Sequence, residues 1–196
     1  MGHVNRDGAG RRPGRLRRLL HSRDGVAAIE FAILAIPFFL IVFAIIETFV
    51  AYAGEQLLEN AVDTMSRKIR TGQITAANTS EEQFRTAFCD EISIMMSCSG
   101  TGDEQKLYLD VETYKTFADM PTGVPRVGGG AFGELDDSSF GYDPGPAGSK
   151  NMVRAYYKWP IRTDLVRPYI SNVRPTGGTS YFLMVATTAF ANENYP

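Results

Sequence analysis

The side chains with the most direct chemical consequences are two cysteines, Cys89 and Cys98, and a glutamate, Glu30, that lies inside an apolar stretch. The chain has two histidines, His3 and His21, both near its N-terminus. The remaining sequence therefore has no imidazole for a Ser-His or Cys-His nucleophile or for a histidine-ligated metal. A lysine- or carboxylate-based mechanism stays open, but we predict that the protein is not an enzyme and binds no cofactor.

The two cysteines are nine positions apart, which sets a geometric condition on a bond between them. Nine residues of helix span about 13.5 Å, whereas bonded cysteines have Cα atoms about 5.5–6 Å apart. A disulfide therefore requires that a helix ends before Cys98 and that the chain turns back, with residues 97–102 as the expected turn. Because an oxidising compartment favours the bond, we predict a Cys89–Cys98 disulfide, with two free thiols as the alternative.

Glu30 belongs to an apolar segment, residues 26–50, whose part from Phe31 to Ile46 carries no charge. As a helix this segment would be about 37 Å long, enough to cross a hydrocarbon core of about 30 Å. We predict a transmembrane helix over residues 26–53. A cleaved secretory signal is the alternative, but it would have a shorter apolar region and a small-residue cleavage site.

Charge is distributed unevenly on the two sides of this segment. Residues 1–25 carry seven arginines and two aspartates, a net charge of +5, and the remainder carries 13 basic and 20 acidic groups, a net charge of −7. The positive-inside rule places the arginine-rich end in the cytoplasm. We therefore predict a single-pass inner-membrane protein with a cytoplasmic leader, residues 1–25, and a periplasmic C-terminal domain. The acidic body gives no reason to expect nucleic-acid binding.

Two residues are unusual for a plain membrane anchor. A carboxylate such as Glu30 costs on the order of 2.5–3.5 kcal/mol near the bilayer centre and less near its edge. Pro37 removes one backbone donor and leaves the carbonyl of Ile33 without its helical partner. A glutamate that reaches for headgroups and a tolerated membrane kink would explain both residues. The position of Glu30 relative to Gly25 suggests a more specific explanation.

The sequence RDGVAAIEFAILAIPFFL, which starts at Arg23, resembles the beginning of type IV prepilins. Those proteins carry a basic leader that ends in glycine and then an apolar helix whose fifth mature residue is glutamate. The resemblance implies that a prepilin peptidase cleaves between Gly25 and Val26, which makes Glu30 the fifth residue and Phe31 the sixth. The short pilins of the tight adherence (Flp) system usually have tyrosine in that sixth place and are far shorter than this chain.

The closer resemblance is to the TadE-like family of minor pilins, or pseudopilins, of the same system. The family pattern is G-x-A-A-x-E-F-A after a basic leader, then an internal proline, a second glutamate near the end of the apolar helix and a helical continuation. This chain has Gly25–Ala32, Pro37 and Glu47 in those places. TadE-like proteins also tend to end in Asn-Glu-x-Tyr, which is similar to Asn192–Tyr195 here. The firm resemblance runs from Arg23 to about Gly72.

This resemblance implies a minor pilin that helps to initiate or cap a tight adherence pilus used in surface attachment. The implied partners are the prepilin peptidase, other minor pilins, the major Flp pilin, the inner-membrane assembly platform and membrane lipid. Glu30 and Phe31 are the implied assembly residues, because in such filaments the new amine of one subunit is thought to meet this carboxylate of a neighbour. The mature protein would then become extracellular within the pilus. A type II secretion pseudopilin and a membrane-anchored enzyme or ligand-binding protein are the alternatives.

The fold predicted for the chain is α+β, with a small globular head on a long N-terminal helix. Residues 54–72 continue the membrane helix as a spine with one apolar face and a stop at Gly72. The head, residues 73–196, contains a second helix that begins at Ser80, where Gln83 completes a capping box.

Three strand-like runs, residues 105–117, 151–159 and 180–191, predict an antiparallel sheet that packs on the spine. The last run is almost entirely apolar or threonine, which favours a central strand. Residues 161–171 have room for one short helix. The loop 118–149 contains eight glycines and four prolines, so it is expected to contribute little to a core. Its aspartates lack the spacing of a calcium loop, and no metal site is predicted.

Overall fold

The structure is a computed structural model that describes residues 23–98, 100 and 105–195. Most of the predicted leader lies outside the described residues. The described elements, in chain order, are α1 (Arg23–Arg70), α2 (Glu81–Ile92), β1 (Leu107–Tyr114), two 3₁₀ turns (Phe117–Asp119 and Val127–Gly129), β2 (Lys150–Trp159), α3 (Arg167–Ile170) and β3 (Phe182–Ala191). These elements confirm the predicted α+β class with a long N-terminal helix, a second helix and three strands.

The chain divides into two compact units, one that ends at Phe43 and one that begins at Ala44. Among the described helices, α1 is long and apolar enough to cross a membrane over Val26–Arg70, and its most apolar window has a mean hydropathy of 2.8 and is 0% buried. The second unit contains the rest of α1 and the head. The predicted domain limits after residues 25, 53 and 72 stay predictions.

The part of α1 in the second unit buries one face in the head. The buried side chains recur at helical spacing and are Leu58, Ala61, Val62, Met65 and Ile69. The apolar face of α2, made of Phe84, Phe88 and Ile92, and one face of the sheet complete this core. Because each fully buried side chain of this size contributes roughly 1.5–3 kcal/mol, this face holds α1 firmly to the head.

Local sequence signals set the ends of both long helices. At the end of α1, Gly72 adopts a left-handed conformation with a φ of +74°, and the N–H of Gln73 donates to the carbonyl of Lys68 at 2.9 Å. This is a Schellman closure, for which glycine is the favoured residue. At the start of α2, the predicted capping box is present, because Ser80 Oγ accepts from the N–H of Gln83 and the Gln83 side chain accepts from the N–H of Ser80.

The three strands form one antiparallel sheet in the order β1-β2-β3. The register places Val111 of β1 opposite Val153 of β2, and Val153 opposite Thr188 of β3. The prediction of residues 180–191 as the central strand is therefore wrong, since β2 is central and β3 lies at an edge.

The glycine-rich loop 118–149 contributes more to the fold than its composition indicated. Leu135 is buried and belongs to a second core cluster on the other face of the sheet. The ring of Phe140 stacks on Tyr156 of β2 with a centroid distance of 5.1 Å. The expectation that this loop has little part in a core is wrong, because a few large side chains between its glycines cover the sheet. The short helix expected within residues 161–171 is present as α3.

Candidate functional site

The predicted processing and assembly residues lie in the first turns of α1. Because this helix begins at Arg23, the bond between Gly25 and Val26 lies in its first turn. Val26 is 49% exposed and Phe31 is 72% exposed, and Glu30 is also exposed. Within the part of the chain that the structure describes, the Glu30 carboxylate has no hydrogen bond or ion pair.

The helix continues past Pro37 without a break in its assignment. On both sides of this residue the large apolar side chains remain exposed, among them Leu34, Phe38 and Ile41. A helix that is apolar all round and has no protein cover is typical of a segment surrounded by lipid or by other helices.

Glu47, the second glutamate of the resemblance, has a definite structural role. Its carboxylate accepts hydrogen bonds from the backbone N–H groups of Arg162 and Thr163, the latter at 3.1 Å to Oε2. These two residues follow the end of β2. Hydrogen bonds from a charged acceptor are stronger than neutral ones, so Glu47 fixes the segment after β2 to α1. Sequence reasoning supplied the residue but not this contact.

Gly54 of α1 packs closely against Trp159 at the end of β2 and against Met96. A Cβ atom at this position would lie 3.0 Å from the Trp159 ring and 3.1 Å from the Met96 methyl group. These distances are shorter than ordinary van der Waals contacts, so a Cβ atom here would require the Trp159 ring and the Met96 side chain to move by a few tenths of an ångström. The sequence analysis did not single out Gly54, because the requirement for a small residue at this position arises only from the packing of residues that are distant in sequence.

The predicted disulfide is present. Cys89 in α2 and Cys98 are bonded, with their Cα atoms 5.9 Å apart. Helix α2 ends at Ile92 and a turn follows at residues 93–95, before the expected turn at residues 97–102, part of which lies outside the described residues. The hydroxyl of Tyr157 in β2 donates to the carbonyl of Ser97 at 3.1 Å, so the bonded turn is also held to the sheet.

A buried ion pair lies on the face of the sheet that is turned away from α1. Arg154 Nη2 and Nε lie 2.7 and 3.0 Å from Oδ2 of Asp110 on the neighbouring strand. Both side chains are almost fully buried, and the guanidinium carbon lies 5.9 Å from the ring centroids of both Phe140 and Tyr156. Burial raises the pKa of Tyr156 to about 12. The strand register, which a single sequence does not display, places Asp110 opposite Arg154.

Two aspartates of the glycine-rich loop, Asp136 and Asp143, accept hydrogen bonds from residues close to them in sequence. Asp136 accepts hydrogen bonds from the hydroxyl and the N–H of Ser138, and these bonds lower the pKa of its carboxyl group. Asp143 accepts from the N–H of Gly145. Among the described residues no group of three or more histidine, cysteine, aspartate or glutamate side chains could hold a metal ion.

The C-terminal element, Asn192–Tyr195, joins three parts of the head. Asn192 is 5% exposed. Its Oδ1 accepts from the Asn151 side chain at 2.9 Å, and its Nδ2 lies 3.0 Å from the carbonyl of Pro144 and 3.1 Å from the Tyr195 hydroxyl. Such fully bonded buried amides are expensive to disrupt, since removal of one partner leaves the others unsatisfied.

The same element also closes the end of α1. The N–H of Glu193 donates to the carbonyl of Arg70 at 2.9 Å, and the Glu193 carboxylate lies 3.4 Å from Arg70 Nε. The ring of Tyr195 covers Gly72 so closely that a Cβ atom there would lie 2.6 Å from it. The element therefore supplies a partner for one of the carbonyl groups that a helix end leaves free.

Residues 25–67 match the model of the TadE-like protein family. This match confirms the resemblance drawn from the N-terminal motif. It begins at the predicted cleavage-site glycine and ends three residues before α1 does, so it covers about a fifth of the chain and no part of the head beyond α1. No curated protein and no solved structure matches the chain.

The TadE-like segment contains most of the positions described above. Glu30, Pro37, Glu47 and Gly54 all lie within it. Glu47 and Gly54 contact residues of the head, whereas Glu30 is exposed. The C-terminal element lies outside the match, but it contacts the end of α1 and so helps to hold that helix in the head.

Proposed function

We propose that the protein is a minor pilin, or pseudopilin, that helps to initiate or cap a tight adherence pilus. The observation that carries this proposal is the exposed Glu30 carboxylate, which has no partner among the described residues and lies at the start of a helix that matches the TadE-like model. In this role the protein is a structural component rather than an enzyme, and a prepilin peptidase would act on it.

The proposed chemistry of assembly follows from the spacing of two groups. Cleavage after Gly25 frees the α-amino group of Val26, which lies one helical turn, about 6 Å, from Glu30. In an apolar surrounding, both the amine and the carboxylate need a partner of opposite charge. A neighbouring subunit at the correct axial position supplies that partner, and an incorrect position leaves two unpaired charges. The pair would therefore select the register of subunits.

The arginine-rich leader and the long apolar helix α1 support an inner-membrane protein with a cytoplasmic N-terminus and a periplasmic head. The proposed partners are other minor pilins, the major Flp pilin, the assembly platform and membrane lipid. A lipid bilayer gives no hydrophobic gain when helices associate, so polar pairs and close packing contribute more of the specificity there. Within the pilus the protein would be extracellular.

Two substitutions in the native host test the proposal. Gly25→Val should block processing, because it fills the small pocket expected in the peptidase, and the chain should keep its 25-residue leader. Glu30→Gln should be processed and inserted but should not support pili, since an ion pair that loses one buried partner is weakened by roughly 3–5 kcal/mol.

Glu82→Gln is the matched control, because it makes the same chemical change at an exposed position of α2. The readouts are N-terminal sequencing of the membrane-bound protein and counts of pili per cell at equal expression. Normal piliation by Glu30→Gln would refute the proposed pairing, and an intact leader in assembled pili would refute the proposed cleavage.

A further inference from the structure

Four large apolar side chains are exposed on two turns of the second unit. Ile94 is 82% exposed and Met95 is 42% exposed on the turn after α2, and Leu165 is 66% exposed and Tyr169 is 87% exposed on the segment after β2. We call these four residues the apolar collar. Single exposed apolar side chains are common on protein surfaces, whereas several of them close together mark a site of interaction.

The first part of the collar is held beside α1 by its neighbour in sequence. Met96 is buried and its methyl group lies 3.1 Å from the position of a Cβ atom at Gly54. Ile94 and Met95 precede it directly and point outwards. This turn is also fixed by the Cys89–Cys98 disulfide, so its exposed side chains are not free to fold back into the core.

The second part of the collar is held beside α1 by Glu47. The Glu47 carboxylate binds the N–H groups of Arg162 and Thr163, and Ile161 and Val166 are buried. Leu165 and Tyr169 are the large apolar residues of this segment that remain outside. Both parts of the collar are therefore adjacent to the stretch of α1 between Glu47 and Gly54.

That stretch is where α1 would leave a membrane. A helix from Val26 to Ile46 is about 31 Å long, close to the thickness of a hydrocarbon core of about 30 Å. Glu47 is the first charged residue after the uncharged run from Phe31 to Ile46. The next exposed side chains of the helix include Phe49 and Tyr52, and aromatic residues at this depth are typical of the membrane interface.

We propose that the apolar collar rests in the interfacial layer of the leaflet from which α1 emerges, which depends on the proposed transmembrane role of α1. The chemistry of the collar fits this layer, because leucine, isoleucine and methionine enter the acyl boundary and tyrosine keeps its hydroxyl at headgroup level. Exposed Arg162 lines a cleft together with Lys106, Asp164 and Arg167. Arg167 forms an ion pair with Asp164 there, so Arg162 and Lys106 supply the cations that attract headgroup phosphates.

The disulfide makes a direct test possible. The chain contains two cysteines and they are bonded to each other, so one introduced cysteine would be the single free thiol for an environment-sensitive fluorophore. The full-length protein would carry the label at Leu165→Cys or at Ile94→Cys. It would be reconstituted in lipid nanodiscs that contain a lipid with a spin label near its headgroup, which quenches nearby fluorophores.

Phe117→Cys is the matched control for the collar. Phe117 is a large apolar residue that is 50% exposed, but it follows the end of β1, whose last residue, Tyr114, pairs with Lys150. Lys150 pairs in turn with Ala191, and Glu193, two residues later, contacts Arg70 at the end of α1. These pairings place Phe117 near Arg70 rather than near Gly54. Arg70 lies 16 positions after Gly54 on α1, which separates the two residues by about 24 Å along the helix.

A second control separates failure of this inference from failure of the proposed function. A label at Phe39→Cys, in the middle of the uncharged run, should be quenched by a lipid with its spin label deep in the acyl chain. Absence of that quenching would overturn the transmembrane assignment itself.

With the Phe39 label quenched as expected, labels at positions 94 and 165 should be quenched several-fold more than the label at position 117. Their emission should also shift to shorter wavelength relative to detergent solution. Equal quenching at positions 94, 165 and 117 would overturn the collar proposal. Protection of positions 94 and 165 that arises only after other pilus proteins are added would also overturn it, since a protein would then cover the collar.

Discussion

The contact between Gly72 and Tyr195 gives the sharpest prediction about how the C-terminal element holds the end of α1. At Gly72 the φ angle is +74°, and a Cβ atom there would lie 2.6, 2.7 and 2.9 Å from three ring atoms of Tyr195. Gly72→Ala therefore has two separate penalties, one from the backbone conformation and one from the overlap with the ring.

The two penalties have different magnitudes. A left-handed conformation destabilises the folded state by roughly 1–2 kcal/mol for a residue with a Cβ atom. Alanine also restricts the unfolded chain more than glycine does, which offsets about 0.4–1 kcal/mol of that loss. The overlap adds the cost of overpacking, typically 1–3 kcal/mol. We expect Gly72→Ala to lower the free energy of unfolding by about 2–4 kcal/mol, but by only about 1 kcal/mol when Tyr195→Ala has already removed the ring.

The assay is urea unfolding of the full-length protein in a mild non-ionic detergent. Trp159 is the only tryptophan of the chain and packs against Gly54, so its fluorescence reports on the core. Gly128→Ala is the matched control, because Gly128 has a φ of +70° and open space around it. Equal losses for Gly72→Ala with and without the Tyr195 ring would refute the idea that the C-terminal element packs on this helix end.

Two further predictions concern the head. Replacement of both Cys89 and Cys98 by serine should lower the free energy of unfolding by on the order of 2–3 kcal/mol, as expected for the loss of a short closed loop, and reductant should have no further effect on that variant in the same urea assay. Asp110→Ala should cost roughly 3–5 kcal/mol because it leaves the Arg154 guanidinium buried without a counter-charge. Asp110→Leu combined with Arg154→Met should recover most of that loss, and a double variant as unstable as Asp110→Ala would contradict this reasoning.

The helices were largely predictable because their signals are local. The one-sided apolar spacing of the spine, the stop at Gly72 and the capping box of Ser80 and Gln83 each depend on residues within one or two helical turns. The structure confirms all three. The bond between Cys89 and Cys98 was also predictable from spacing and compartment, but the exact position of the turn before it was not.

The order of the strands was not predictable, for a physical reason that lies in the polar residues of β2. A central strand is usually recognised by a continuous apolar run, yet β2 contains Asn151 and Arg154. These side chains are buried because partners on other segments satisfy them, Asn192 for the first and Asp110 for the second. The apolar run of β3 is at an edge instead. Pairings between distant residues, which a single sequence does not display, decided the arrangement.

The candidate site also contains residues that a local motif predicts and residues whose roles depend on distant contacts. Gly25, Val26, Glu30 and Phe31 were found from a local motif, and the family match begins at its first residue. The roles of Glu47 and Gly54 depend on residues more than 40 positions away. Sequence reasoning could therefore find the segment that is proposed to assemble, but not the contacts that fix it to the head.

The Cys89–Cys98 bond has a consequence for how biogenesis of the protein can be followed. On the proposed topology, this bond forms on one side of the membrane and the Gly25–Val26 bond is cut on the other, so each molecule acquires two independent covalent marks. An oxidised chain that retains its leader has translocated its head but has not been cleaved by the peptidase. A cleaved chain with free thiols has been processed by the peptidase before its disulfide has formed. A single non-reducing gel therefore records the order in which the two compartments act on the same molecule.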